Sequence, residues 1–216
     1  MRIVTDSTAY LSVEYIEEND IHVVPLAVSL DGTTEEEGAP GTFDSFFARL
    51  ARSRTFVKTS QPSVGRFVEV FEELLRGGQE IIAVMLSSGV SGTYQSALTA
   101  ARMVDETRIS VIDTKLGVAA VRFLLDNLLG YMQSGWSRLK AVDTLVEDSK
   151  RMGFQITVAT LDYLARGGRL NQLQAMLGSV LKLRPIIHLN DGALVVREKV
   201  RGTQRAIDEM IASGGE

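Results

Sequence analysis

IIAVMLSSGVSGT, residues 81–93, carries the clearest indication of how this chain folds. Ile81–Leu86 is a continuous apolar run of strand length, which is typical of a strand buried on both faces of a parallel sheet. A segment rich in serine and glycine follows, and the pattern from about Gly92 to Val104 predicts a helix. A buried strand, a glycine-containing turn and a helix, in this order, point free backbone N–H groups at an anion.

Strand and helix patterns alternate on both sides of this segment. Runs rich in β-branched residues predict strands at Arg2–Thr5, His22–Leu30 and Ile109–Ile112. Amphipathic spacing predicts helices at Ser12–Glu18, Phe43–Arg52, Gly117–Met132 and Ser137–Met152, and another that follows KTSQPS and ends at Leu75. Asp31-Gly32 is predicted to turn the chain, and Thr34–Gly41 to form an acidic loop. The alternation predicts the α/β class, with an N-terminal domain over residues 1–150 whose mostly parallel sheet is flanked by helices.

The last third of the chain predicts a second α/β domain, residues 151–216. A strand is expected at Phe154–Thr160, a turn region at Asp162–Arg169, a helix at Asn171–Leu181, a hairpin of Ile186–Leu189 and Ala193–Val200 around Asn190-Asp191-Gly192, and a last helix at Thr203–Ile211. These elements are few for an independent core. We therefore expect the second domain to be C-terminally incomplete or to depend on the first.

Composition narrows the function classes. The net charge of −4 and the absence of a Lys/Arg run argue against a nucleic-acid partner. The chain has no cysteine, which fits a cytoplasmic location, and its two histidines, His22 and His188, are far apart, so no metal site is expected. No apolar run reaches about 18 residues, which argues against integral membrane association.

Small polar residues follow the predicted strands, where open α/β sheets bind ligands. Thr5-Asp6-Ser7-Thr8 follows the first strand, Ser87–Thr93 the apolar one, and Asp113-Thr114 a third. Ser91 is suited either to cap its helix or to donate to a ligand, and Gly92 lets the backbone approach closely. Neither a P-loop nor GxGxxG is present, so nothing indicates a triphosphate or a dinucleotide.

Two further segments allow both a structural and a functional interpretation. Thr59-Ser60-Gln61-Pro62-Ser63 precedes a helix, with Pro62 suited to its first turn. Its hydroxyls either cap that helix or bind an anion, and the spacing leaves open whether it meets the Ser91 segment. Arg166-Gly167-Gly168-Arg169 is either an exposed basic turn or a grip for a phosphate or carboxylate.

Other functions find less support in the residues. No GxSxG elbow accompanies the histidines, both of which are interpreted as structural. A hydrolase or phosphotransferase acting on a small anionic substrate needs a base, for which Asp6 and Asp113 are the candidates. Glu35-Glu36-Glu37 is interpreted as part of a solvated loop. A transcriptional module would need a helix-turn-helix charge pattern, which the sequence lacks.

The segments VTDSTAYLS, VVPLAVSLDG, KTSQPSVGRF, LSSGVSGTYQSA, VIDT and LDYLARGGRL resemble the DegV family in order and spacing. The resemblance implies two α/β domains that hold a long-chain fatty acid between them, with no catalytic residue and no cofactor. It also implies that a separate fatty acid kinase phosphorylates the carboxylate.

Residue by residue, the resemblance implies that Thr59 and Ser91 bind the carboxylate. It places Arg169 at the mouth of the site, near the kinase or the acyl-phosphate, and Asp6, Ser7 and Gly92 near the head group. Family chains end in a His-x-Gly-Pro-Gly-type segment that this sequence lacks. The chain is expected to be either a truncated or processed form or a shorter family variant. If it is truncated, we expect weakened or altered fatty acid handling and some tendency to associate.

Overall fold

A computed structural model of the chain describes residues 1–169 and 183–214. The strands are β1 (Arg2–Asp6), β2 (Ile21–Val24), β3 (Ala27–Leu30), β4 (Thr33–Glu36), β5 (Lys58–Ser60), β6 (Ile81–Met85), β7 (Ile109–Asp113), β8 (Gln155–Thr157), β9 (Arg184–Asn190) and β10 (Ala193–Val200). The helices are α1 (Val13–Glu18), α2 (Asp44–Arg52), α3 (Val64–Leu75), α4 (Thr93–Val104), α5 (Ala119–Gln133), α6 (Arg138–Lys150), α7 (Asp162–Arg166) and α8 (Thr203–Ser213), with a 3₁₀ turn at Ser7–Ala9. None of the helices in the described ranges is both long and apolar enough to cross a membrane.

The central sheet is parallel, with strand order β2-β1-β6-β7, which confirms the predicted α/β class. Every residue of β6 is buried, as its continuous apolar run predicts. Alternate side chains serve opposite faces of a strand, so Ala83 packs with Phe67 and Phe71 of α3 on one side. On the other side Val84 packs with the leucines of α5.

The strand order reverses direction between β1 and β6. The chain passes from β1 to β2 on one side, and from β6 to β7 on the other. The segments after β1 and β6 therefore leave in opposite directions and open a crevice beyond the carboxyl ends of these strands, which is where ligands bind in open α/β sheets.

A second sheet, antiparallel with order β4-β3-β5, begins immediately after β2. The sequence predicted one strand over His22–Leu30, and this is wrong. The chain leaves the parallel sheet at Pro25-Leu26, where proline supplies no ladder N–H, and β3 joins the other sheet. The residues Asp31 and Gly32 both have positive φ, as a two-residue hairpin turn requires, so the predicted turn there is confirmed.

The third sheet, order β10-β9-β8, is antiparallel and lies C-terminal to α6. Its predicted hairpin is present, with Asp191 and Gly192 at positive φ. The turn contacts the segment after β6, because the Ser87 hydroxyl donates to the Gly192 carbonyl over 2.7 Å inside the protein. The division of the chain at residue 150 stays a prediction.

Part of KTSQPS is strand β5, which pairs with β3. Three local predictions were wrong. Part of the acidic loop is strand β4, which also pairs with β3. The strand expected at Phe154–Thr160 is limited to β8, and the turn region after it contains the short helix α7. The helix predicted at Asn171–Leu181 lies outside the described residues.

Candidate functional site

A cavity of about 580 Å³ lies between the β4-β3-β5 sheet and α2. Half of its lining residues are aromatic or aliphatic, namely Tyr10, Val28, Phe43, Phe46, Phe47, Leu50, Val57 and Tyr163. Helix α2 has no buried residue, and Phe47 is 57% exposed although its helix faces this space. A cavity of this size with an apolar wall is typical of a small-molecule site.

Thr59 lies on the cavity wall, in the row of side chains that crosses the sheet. On β3, Val28 pairs with Glu35 of β4 on one side and with Thr59 of β5 on the other. All three residues line the cavity. Because neighbouring strands are about 4.8 Å apart, the backbone at Thr59 is roughly 10 Å from that at Glu35. The wall thus carries a neutral hydroxyl at one edge and a carboxylate at the other.

Glu35, Glu36 and Glu37 form the acidic wall of the cavity. Residues of the segment after β1 hold Glu37 in place through hydrogen bonds. The Ser7 hydroxyl donates to a Glu37 carboxylate oxygen and accepts from the Leu26 N–H over 2.9 Å. The Tyr10 hydroxyl donates to the other Glu37 oxygen over 3.2 Å. Burial, together with the Glu37 carboxylate, raises the pKa of Tyr10 to about 12. Glu35 forms an ion pair with Arg49 of α2. The interpretation of Glu35-Glu36-Glu37 as part of a solvated loop was therefore wrong for Glu35 and Glu37, which are half-buried, whereas Glu36 is exposed as predicted.

The amino end of α4 lacks the side-chain cap that several other helices have. Ser12, Ser63 and Ser137 each accept a backbone N–H at the start of their helices, whereas the N-cap residue of α4, Gly92, makes no such bond. The first turn of a helix has N–H groups without intrahelical acceptors, and its dipole favours an anion. These groups would favour a negatively charged ligand at this end of α4.

Ser91 sits beside that end with its side chain buried. Its hydroxyl lies 2.9 Å from the Thr93 hydroxyl and 3.4 Å from the Thr93 N–H. The first of these is a hydrogen bond in which either oxygen can donate. The second contact is long, so Ser91 is at most a weak cap, and its hydroxyl can still turn toward a ligand.

The structure brings together the two segments that the sequence left separate. Gln61 donates from Nε2 to the hydroxyl of Ser96 in the first turn of α4, over 3.2 Å. Its side-chain amide also packs on Gly92. Pro62 was predicted to open the following helix, which is wrong, because Ser63 is the N-cap of α3 and accepts from the Arg66 N–H.

Arg169 lies against the same loop. Its Nε donates to the carbonyl of Val90 over 3.1 Å, next to Ser91. Arg166 instead stacks on Phe56, with its guanidinium carbon 3.3 Å from the ring centroid, and Phe56 in turn contacts Tyr163 at the cavity wall. Of the two arginines of the basic turn, Arg169 thus contacts the loop before Ser91, and Arg166 contacts Phe56.

Neither aspartate proposed as a base has the surroundings for that role. Asp6 is 1% exposed, and its carboxylate accepts from the Leu86 N–H over 2.8 Å and from Thr8. Burial raises its pKa, and each of its two carboxylate oxygens accepts a hydrogen bond from a backbone N–H group of the protein itself. Burial also acts to raise the pKa of Asp113, yet hydrogen bonds from Ser88 and Lys115 outweigh it and hold that pKa below its usual value. Asp6 and Ser7 therefore connect structural elements, and their assignment to a head group stays a prediction.

The sequence did not predict the cavity, the glutamates on its wall or the contact of Gln61 with α4. The aromatic residues of α2 were visible as a helical pattern, but the same pattern is typical of core packing. Among the described residues, no group of three or more His, Cys, Asp or Glu side chains is arranged to hold a metal ion.

Comparison with known proteins adds to this geometry. A family model described as "Uncharacterised protein, DegV family" matches residues 1–214. The DegV domain-containing protein BH3627 of Halalkalibacterium halodurans is 39% identical over 205 residues, which are 94% of this chain and 72% of the relative.

Two solved structures are similar over almost the whole chain. DegV, a fatty acid binding protein from Bacillus subtilis, has a TM-score of 0.88 at 34% identity, covering 98% of this chain and 75% of that one. A stearic acid-binding protein from Eubacterium ventriosum has a TM-score of 0.85 at 30% identity, with 98% and 75% covered.

Proposed function

The chain belongs to the DegV family, and we propose that it binds a long-chain fatty acid, with the carboxylate held between Thr59 and Ser91 and the acyl chain in the cavity under α2. The observation that carries this proposal is the apolar cavity with the Thr59 hydroxyl on its wall. Gln61, which directly follows the strand of Thr59, donates to Ser96 in the first turn of α4, and this contact supports a head-group position between Thr59 and α4. The similar proteins of known structure bind fatty acids.

Charge supports one orientation of the ligand. Glu35, Glu36 and Glu37 line the cavity on the β4 side, and a carboxylate there is repelled. Thr59 and the weakly capped amino end of α4 offer donors on the other side, with the Arg169 guanidinium beside Val90. The head group therefore belongs at the β5–α4 side and the methyl end toward α2.

The acyl chain contributes more to affinity than the head group does. Burial of a dozen methylenes is worth about 10 kcal/mol at about 0.8 kcal/mol each. A hydrogen bond to a charged group contributes about 1.5–3 kcal/mol. We therefore expect affinity to rise steeply with chain length, about 15-fold for two methylenes.

The test begins with mass spectrometry of an organic extract of the purified protein, followed by titration of delipidated protein with dodecanoate, palmitate and stearate. Thr59→Val and Ser91→Ala should each weaken palmitate binding by about 10- to 150-fold. Thr33→Val is the matched control, because Thr33 is exposed on β4 and is not part of the cavity wall. Protein that yields no lipid and binds none of the three acids contradicts the proposal.

We further propose that the chain presents the bound carboxylate to a separate fatty acid kinase. Family resemblance supports this, and Asp6 and Asp113 are both engaged in internal hydrogen bonds. With ATP and palmitate, acyl-phosphate trapped by hydroxylamine should form only when kinase and carrier are both present. Arg169→Ala should slow its formation more than it weakens palmitate binding. Acyl-phosphate formed by this chain alone would contradict the carrier role.

A further inference from the structure

The side chain of Gln61 contacts the amino end of α4 in two ways. Its Nε2 donates to Ser96, whose side chain is buried. Its amide also lies so close to Gly92 that a Cβ at position 92 would stand 2.5 Å from Nε2 and 2.6 Å from Cδ. Real side-chain carbons do not approach this closely, so the contact exists only because residue 92 is glycine. Gln61 and Gly92 are therefore matched to one another.

This contact sets the position of β5 relative to α4. Gln61 directly follows β5, two residues after Thr59, so the two residues are at most about 7 Å apart along the chain. Gly92 directly follows Ser91 in the chain. Strand β5 is an edge strand of only three residues, paired with β3 alone in its sheet. Because so short an edge strand has few ladder hydrogen bonds, a further contact is needed to hold the Thr59 hydroxyl in a fixed position relative to α4.

We propose that Gln61 is a positioning residue, which fixes the Thr59 hydroxyl relative to Ser91 and the amino end of α4 so that one carboxylate contacts both. The inference rests on the proposed function. It gives Gln61 a role at the head group without contact to the ligand, and it explains why the residue after Ser91 is glycine although Gly92, with φ of −73°, adopts a conformation open to other residues.

The experiment compares two ligands with the same chain, palmitate and hexadecanol, in delipidated wild-type protein and in Gln61→Ala. Mispositioned hydroxyls weaken binding of the charged head group, whereas a general disturbance of the cavity weakens both ligands. We expect about a tenfold loss for palmitate and less than about a twofold change for hexadecanol. Equal losses for the two ligands, or no loss for either, overturn the proposal.

A second variant approaches the same contact from the helix. Gly92→Ala should displace the Gln61 amide and give the same palmitate-selective loss. In the Gln61→Ala background the clash is gone, so Gly92→Ala should add little, because two changes that act on one contact are not additive. Full additivity of the two losses counts against the proposal.

The matched control is Gln79→Ala, since Gln79 is exposed between α3 and β6 at the opposite end of the central sheet. Its affinities for both ligands should equal those of the wild type. Thermal denaturation of each ligand-free variant separates a change in binding from a loss of folded protein. Wild-type protein that binds neither lipid overturns the proposed function and this inference with it, whereas binding that Gln61→Ala leaves unchanged overturns this inference alone.

Discussion

Replacing Gly89 by alanine tests whether the turn of the β9–β10 hairpin packs against the loop that leads to Ser91. A Cβ at position 89 would stand 2.7 Å from the carbonyl carbon of Gly192 and 3.1 Å from the backbone nitrogen of Ala193. These are backbone atoms, so no side chain can rotate away. Gly89 does not have a positive φ, so the cost is steric. Overpacking of this kind costs about 1–3 kcal/mol.

Movement of the hairpin turn also breaks the buried hydrogen bond from Ser87 to Gly192, which costs about 1–3 kcal/mol. We therefore expect the free energy of unfolding to fall by about 2–6 kcal/mol for Gly89→Ala. For a chain of this size the Tm should fall by roughly 4–24 °C. Urea and thermal denaturation of ligand-free protein measure both quantities.

Gly130→Ala is the control for this change. Gly130 is in the interior of α5, and apart from the backbone of its own helix no heavy atom lies within 4 Å of the position that an alanine methyl would take. Alanine there should therefore raise the free energy of unfolding by about 0.8–1 kcal/mol. If Gly89→Ala is as stable as the wild type while Gly130→Ala shows the expected rise in the free energy of unfolding, the hairpin turn does not pack against Gly89 as described.

Three further predictions address the cavity, its acidic wall and α6. Leu50→Trp should fill part of the cavity and weaken stearate binding more than dodecanoate binding in titrations of delipidated protein; equal effects contradict the proposed acyl-chain position. The folded state keeps the Tyr10 proton up to a pKa of about 12, while the unfolded chain loses it near 10. Stability should therefore fall as pH rises from 10 to 12, and urea midpoints of Tyr10→Phe should fall less. Arg138 donates to Glu80 over 2.9 Å and to Ser110 and Thr107, so Arg138→Leu should lower the free energy of unfolding by about 1–3 kcal/mol, with palmitate affinity unchanged.

The parts of the fold that the sequence predicted are those specified by local patterns. The apolar run of β6 and the helical spacing of α3 each show which residues of one short segment are buried, so a short stretch of sequence is enough to predict the element. The hairpin turns follow from Asp-Gly pairs, which tolerate positive φ. The parallel sheet follows from the alternation of these elements.

The parts that were missed depend on residues distant in sequence. Strand β4 carries two glutamates, a composition typical of loops, and it forms because β3 supplies its partner. The environment of Glu37 depends on Ser7 and Tyr10, about thirty positions earlier in the chain. A cavity is a space between elements, so residue patterns that distinguish buried from exposed positions do not distinguish its wall from the core.

On the proposed function, the acyl chain supplies most of the affinity and the head group supplies little, which is suited to a carrier that presents its carboxylate to another protein. If most of the affinity comes from the acyl chain, the head group can be held by weak, neutral donors, here the hydroxyls of Thr59 and Ser91 and the amino end of α4. A bidentate arginine would hold the carboxylate more tightly and draw charge from its oxygens. Arg169 instead directs its Nε to the Val90 carbonyl. On the proposed function, a carboxylate bound in this way keeps its charge available for attack on a phosphoryl group.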